Sequence, residues 1–300
     1  MSGRPYRWLL LALVLATLSL VGFTLRQQQR QAANLAARLE QITRVGSEAA
    51  LPCAAIAAER PLVLLALGQS NAANHGSPAD PDSEAITLIS EGKCIRAVDP
   101  LPGATGTGGS IWRRLPEAMR QSGNKRPIVI SVLAVDASSI DEWTRQNSAL
   151  RQRLVTHLAA LRALGLPPAY VLWQQGEADA RQGISSSDYA RHLDLLATTI
   201  DQAGIGAPII LARSTICRSD PYAAVRGAVE AKVATDRRFR LGPDTDTLAG
   251  DRFRHEGCHL SVAGLASAAL MWASTITGEL ARAAPMSSPA AQPNQADAGR

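Results

Sequence analysis

The residues of this chain best suited to chemistry are a serine early, an amide-and-acid cluster in the middle and a histidine late. Gly68-Gln69-Ser70-Asn71 follows the apolar run Pro61-Leu62-Val63-Leu64-Leu65-Ala66-Leu67 directly. A hydroxyl is thereby set where a buried strand gives way to a polar turn. Open α/β sheets bind ligands outside the carboxyl ends of their strands, so a serine there is reachable while the strand holds it still. Alone the pattern is weak, because Ser and Asn are ordinary turn residues. Trp173-Gln174-Gln175-Gly176-Glu177-Ala178-Asp179 follows a second strand-like run, Ala169-Tyr170-Val171-Leu172. His255-Glu256-Gly257-Cys258-His259-Leu260-Ser261 then leads into a helical-looking stretch, Val262 to Ile276. A serine hydroxyl becomes a nucleophile when a base takes its proton, and a carboxylate on the other ring nitrogen fixes the tautomer of a histidine base.

In order, these three blocks resemble those of the SGNH hydrolase superfamily, in particular its sialate O-acetylesterase-like branch, whose members carry a GQSN block, a W-x-QGE-x-D block and a late acid-x-x-His block. The similarity runs from about Leu62 to about Leu265 and includes Asp99-Pro100-Leu101-Pro102-Gly103 and Ser138-Ser139-Ile140-Asp141-Glu142-Trp143. It implies Ser70 as nucleophile, His259 as general base and Glu256 as the acid that orients the imidazole, with Gly68, Gln69, Asn71, Gly176 and Glu177 supporting the site. The family usually has Asp at the position of Glu256, and Asp251 is the reserve candidate. No metal or organic cofactor is implied.

The resemblance also implies three donors for the oxyanion of a tetrahedral intermediate: the Ser70 N–H, a backbone N–H near Ala137 and the side-chain amide of Gln175. Loss of one such donor typically costs about 100- to 1000-fold in rate. Relatives read Gly-Gly-Thr-Ser-Ile where this chain has Asp136-Ala137-Ser138-Ser139-Ile140. Glycine permits positive φ and close approach, which Asp136 and Ala137 make harder. Gly108-Gly109-Ser110-Ile111-Trp112 looks like the missing pattern but precedes the strand 127–135. The segment Gly103 to Gly109 lacks the Gly-Lys-Ser/Thr ending of a phosphate loop and reads as a flexible rim loop.

Other readings of single residues are blander. His259 could cap the last helix, Glu256 could be a solvated acid, and His255 lies close enough for the histidine assignment to slip. His75 is a weaker candidate, and so is His157, which sits inside a helical pattern. Glu177 and Asp179 could be imagined as paired glycosidase carboxylates, but they stand too close in sequence to flank a sugar from opposite sides. They are expected to hold loop backbone or the Gln175 amide.

Strand patterns fall near 62–67, 127–135, 169–174, 208–213 and, more weakly, 238–242, alternating with helical patterns near 110–122, 146–165, 187–204, 221–235 and 261–281. That rhythm predicts an α/β fold with a parallel sheet covered on both faces. By resemblance it is a three-layer α/β/α sandwich of flavodoxin-like topology. Aromatics make up only 4% of the 300 residues, so Ala, Leu, Val and Ile must build the core. The formal charge of +5 is concentrated at the start, where residues 1–50 hold six arginines against two glutamates, leaving +1 for the rest. Nothing there argues for nucleic acid.

Trp8 to Leu25 is 18 residues without a charge, flanked by Arg4 and Arg7 before it and Arg26 and Arg30 after it. As a helix it would reach roughly 27 Å, at the short end of what spans a bilayer. It is longer than a usual signal-peptide core and lacks a clear cleavage site, so an uncleaved anchor through residues 8–25 is preferred over a secreted product. The expected organisation is an anchor at 1–26, a juxtamembrane helix or linker at 27–50, an esterase domain at 51–283 and a disordered tail at 284–300. Cys53, Cys94, Cys217 and Cys258 have no metal-like spacing and suit disulfides in an oxidising compartment. Of three possible pairings, Cys53 with Cys94 and Cys217 with Cys258 is favoured, because Cys217 follows the strand 208–213 and should lie near the histidine loop.

The expected activity is therefore removal of O-acetyl groups from a carbohydrate by an exported, membrane-anchored serine esterase. Two alternatives stay open: acetyl transfer to a polysaccharide hydroxyl by the same residues, and a non-catalytic glycan-binding or assembly protein.

Overall fold

Leu62, Leu64 and Ala66 pack towards one face of the central sheet and Val63, Leu65 and Leu67 towards the other, so a single continuous apolar run serves two cores. This double burial is what a parallel strand between helical layers requires. The computed structural model describes residues 5–78 and 84–283. In chain order the elements are α1 (Pro5–Glu40), β1 (Ala50–Leu51), α2 (Cys53–Ala58), β2 (Leu62–Gly68), β3 (Ile86–Ser90), β4 (Lys93–Ala97), α3 (Ile111–Gln121), β5 (Ile128–Ala134), α4 (Ile140–Thr144) and α5 (Ala149–Ala163). They continue with β6 (Tyr170–Gln174), α6 (Glu177–Gln182), α7 (Ser186–Gln202), β7 (Ile209–Arg213), α8 (Ala223–Thr235), β8 (Phe239–Asp244), β9 (Arg254–His255), β10 (His259–Leu260) and α9 (Val262–Ala283).

The main sheet runs β1-β4-β3-β5-β2-β6-β7-β8. Six strands run parallel, β3, β5, β2, β6, β7 and β8, and the last five of these stand in the chain order second, first, third, fourth, fifth, which is the flavodoxin arrangement. The fold is thus a three-layer α/β/α sandwich. One outer layer contains α3 and α9, joined by the Trp112–Trp272 ring contact at 5.7 Å. The other contains α5, α7 and α8. Side-chain oxygens of Ser110, Ser148 and Ser185 accept from the first turns of α3, α5 and α7, so each of those helices starts on a capping serine.

The sheet is mixed at one edge, which the strand patterns do not foresee. β3 and β4 form an antiparallel hairpin turning at Glu91-Gly92, and β1 pairs antiparallel with β4. Both turn residues have positive φ, 50° and 71°, as a two-residue hairpin turn needs. Glu-Gly is not among the usual signals for that turn, and Lys93 and Arg96 break up the apolar pattern of β4.

α1 is one continuous helix whose first part is exposed and apolar, long enough by composition to cross a membrane. Its end packs onto the rest of the protein. Leu35, and Ile42 just beyond the helix, are both 3% exposed within the core. Thr43 N–H donates to the Ala104 carbonyl at 3.0 Å, and Gly103 N–H donates to the Thr43 carbonyl at 2.9 Å. The globular body therefore takes in the last turns of α1. The expected tail at 284–300 lies outside the described residues.

Candidate active site

Ser70 opens a single 3-10 turn, residues 70–72, at the carboxyl end of β2. β2 lies between β5 and β6, so the serine sits where the strand order reverses. The sharp exit needs Gly68: its φ is 151°, and a Cβ there would stand 2.0 Å from the Gln174 carbonyl oxygen on β6. Gly176 has the same function one strand over, with φ 153° and the Ser214 carbonyl 2.5 Å from any Cβ. The two early blocks are then locked together by buried side chains. Gln69 Oε1 accepts from Ala178 N–H at 2.9 Å and from Gln175 Nε2 at 3.3 Å. Asn71 Nδ2 donates to Glu177 Oε1 at 2.7 Å.

His259 comes from the antiparallel pair β9–β10, in which His255 and His259 face each other. Three contacts bring this loop to the serine. β10 packs on the Ser70–Ala72 turn. Asn71 Nδ2 also reaches the Cys258 carbonyl at 3.3 Å, and Ser77 N–H donates to the Leu260 carbonyl at 2.9 Å. The disulfide Cys217–Cys258 fastens the loop to the exit of β7, and Cys53–Cys94 ties α2 to β4. Buried Arg254 fixes the loop from within, donating to the carbonyls of Leu248, Thr245, Ile216 and Cys258. Among the described residues Ser70 Oγ has no hydrogen-bond partner, so its proton is not committed elsewhere. Burial, then the adjacent His75, hold the His259 pKa down to about 4, which keeps the imidazole neutral, with a lone pair free to accept a proton.

Glu256 stands differently from a buried triad acid. Its side chain is 62% exposed and pairs with Arg218 at 3.4 Å, and it has a positive φ of 55°. Its carboxylate does lie with the His255 and His259 nitrogens inside a 4.8 Å set. Asp136, in the turn after β5, belongs to an equally close set with His75 and His259. Its negative charge bears on His259 more strongly than that of Glu256. Asp251 is exposed and forms part of neither set. Each triple has the chemistry of a divalent-cation site, but both include His259, so an ion there would occupy the lone pair of its imidazole.

The turn expected to bind the oxyanion follows β5 directly beside Gly68, with Val135 N–H on the Gly68 carbonyl at 3.0 Å. Ala137 takes the left-handed conformation, φ 51°, so the chain keeps a glycine-like turn without the glycine. Neither the Ser70 nor the Ala137 N–H has a partner among the described residues. Gln175 is fully buried, and its amide hydrogens are directed to the Ser138 carbonyl at 3.0 Å, to Asp179 and to Gln69, while its Oε1 accepts from Tyr189. In this arrangement Gln175 fastens the turn to β6. Asp179 also accepts from Ile140 N–H at 2.9 Å, which starts α4.

The glycine-rich segment is packed, in contrast to a flexible rim. Ala104 bridges β5 at Ala134, and Thr105 N–H and carbonyl pair with Ala134 and Asn74. His75 and Thr105 meet at 3.1 Å beside the site. His75, the weaker histidine candidate in the sequence, thus lies beside the candidate site, and so do Arg254, Ser214 and Tyr189, which belong to none of the three motifs. None sits in a local pattern that marks it, and only tertiary contact brings them in.

Residues 61–233 match the model of a family described as carbohydrate esterase, sialic acid-specific acetylesterase. That span includes Ser70, Ala137 and Gln175 and ends before His259. No curated protein matches the chain. Among solved structures it is similar to a protein from Arabidopsis thaliana, with 17% identity over 73% of this chain and 98% of that one, TM-score 0.56. Est24, a carbohydrate acetylesterase from Sinorhizobium meliloti, aligns at 14% identity over 73% and 98%, TM-score 0.45. A protein from Slackia heliotrinireducens assigned to the SGNH hydrolases aligns at 16% identity over 72% and 99%, TM-score 0.45. With more than half of its length under the family match, this chain belongs to the carbohydrate esterases of the sialic acid-specific acetylesterase family.

Proposed function

We propose that this enzyme is an exported serine esterase, held at a membrane by α1, that removes O-acetyl groups from a carbohydrate through an acetyl-Ser70 intermediate. The observation that carries the reading is the Asn71 side chain, which joins the turn of an unpartnered Ser70 hydroxyl to the carbonyl just before His259. In the first step Ser70 Oγ attacks the acetyl carbonyl as its proton passes to His259. The negative oxygen is met by the N–H groups of Ser70 and Ala137, on a turn that Gln175 secures. His259 then protonates the departing sugar oxygen, leaving acetyl-Ser70. Water attacks that ester with His259 again as base, and acetate leaves. Glu256 and Asp136 supply the negative charge that stabilises the imidazolium. The two disulfides support export to an oxidising compartment.

The test is hydrolysis of p-nitrophenyl acetate and of an O-acetylated sialic acid by the full chain beside Ser70→Ala and His259→Ala. Acetate release that disappears in both variants, with trapped acetyl on the Ser70 peptide at acid quench, is the expected result. Equal turnover by Ser70→Ala would end the proposal.

A further inference from the structure

We infer that Arg38, on the last turn of α1, is a positioning residue that orients the Asp136–Ala137 peptide of the oxyanion turn. The inference rests on the serine-esterase reading above and adds to it a part played by the N-terminal helix. Arg38 Nη1 donates to the Asp136 carbonyl at 2.8 Å, and Nη2 donates to Glu142 Oε1 at 2.5 Å. The Asp136 carbonyl and the Ala137 N–H are two edges of one planar trans peptide, so they point in opposite directions. Holding the oxygen outwards, against α1, turns the N–H inwards, towards the end of β2 where Ser70 sits.

The turn needs such a hold. Ala137 is in the left-handed region at φ 51°, where an alanine is strained and a glycine would not be. Rotation of this peptide would relieve that strain and put a carbonyl oxygen, an acceptor, where the intermediate needs a donor. Arg38 makes the rotation costly because the peptide would lose a charge-assisted bond. The other end of the turn is fixed through the same guanidinium, since Glu142 Oε2 accepts from Ser139 N–H at 3.1 Å. Thr105 Oγ1 accepts from Asp136 N–H at 2.8 Å and steadies the preceding peptide.

Arg38 can serve as a fixed point because its segment is docked. Leu35 and Ile42, one turn to either side, are buried in the same core as Trp143 of α4. The guanidinium itself is largely covered, with 19% of the side chain exposed. The membrane-facing helix and the oxyanion turn are therefore one mechanical unit, and the catalytic body is incomplete without the end of α1.

The experiment compares the full chain in detergent micelles with Arg38→Met, which keeps the packing of the aliphatic stem and removes the donors, with Arg38→Lys, which restores a charged donor, and with Ser70→Ala. The readouts are kcat and KM for p-nitrophenyl acetate and the rate at which a p-nitrophenyl phosphonate labels Ser70, followed by intact mass. We expect Arg38→Met to lower kcat and the labelling rate by about 10- to 100-fold, short of the full loss of a donor, with KM changed less than about threefold. Arg38→Lys should recover most of both rates. Wild-type kcat in Arg38→Met refutes the inference, and so does a loss that Arg38→Lys fails to recover while both variants melt at the wild-type temperature. If Arg38→Met does not fold, Arg38→Lys alone decides: it must fold and retain most of the labelling rate. Activity that survives in Ser70→Ala, or a wild-type Ser70 that takes no phosphonate, overturns the serine-esterase reading itself, whereas a dead Ser70→Ala beside a fully active Arg38→Met overturns only the part given to Arg38.

Discussion

Replacing Glu177 by Gln should remove a large pH dependence from the stability of this protein. Glu177 is fully buried, and burial pushes its pKa from 4.5 up to about 7 against the pull of Asn71, Ser214 and Arg254. Its Oε1 accepts from Asn71 at 2.7 Å and from Ser214 at 2.8 Å, while Oε2 has no hydrogen-bond partner among the described residues. Between the two pKa values the folded protein holds a proton that the unfolded chain has released, so native stability falls as the pH rises. For this one group the loss from about pH 4 to about pH 8 is about 3 kcal/mol. The Glu177→Gln side chain would keep the acceptor for Asn71 and Ser214 and carry no charge at any pH. Thermal melting of both proteins across that range is the assay, and the difference between the two curves cancels the other titrating groups. The variant should gain on the wild type by about 3 kcal/mol, or roughly 6–12 °C, with most of the gain between pH 4.5 and about 7. A difference in melting temperature that stays constant from about pH 4 to about pH 8 would show that burial does not perturb this carboxyl, and the reasoning would fail.

Four further outcomes follow from the same geometry. His259 must be neutral to accept the Ser70 proton, so kcat/KM for p-nitrophenyl acetate should hold until the pH drops through about 4; an acid limb at the ordinary histidine value of 6.5 would refute the burial argument. Glu256→Gln should lower kcat by less than about tenfold, far short of the about 10⁴ lost with a buried triad aspartate, because its carboxylate is exposed and paired with Arg218. Asp136→Asn should cost more than Glu256→Gln, and the reverse order would assign the imidazole's partner to Glu256. Replacing Cys217 and Cys258 by Ser opens a link across 41 residues. That should cost about 4 kcal/mol of stability and reduce kcat by loosening the His259 loop; an unchanged melting temperature would mean that Arg254 holds the loop unaided.

What the sequence determined by itself is what short-range pattern can encode. Apolar runs too long to be half-exposed required a sheet buried on both faces, and their alternation with helical periods required parallel strands, so Ser70 and Gln175 had to lie at the same end of that sheet. Ordered motifs added His259 because it falls at an element boundary, and four widely spaced cysteines favoured the two bridges that form. The hairpin β3–β4 is not legible in the sequence because its turn and charged residues do not follow the usual hairpin signals. Tertiary structure alone decided the surroundings of the site. Whether a carboxylate is a triad partner or a surface ion depends on where it is buried and what it faces, which is why Glu256 turns to Arg218 while Asp136 stands near two histidines. Gln175 directs its amide to Ser138 because Asp179 and Tyr189 happen to surround it. Arg38 meets a carbonyl 98 residues away only because Leu35 and Ile42 bring the end of the helix into the core. Burial and long-range contact are properties of the packed chain, and no local spacing carries them.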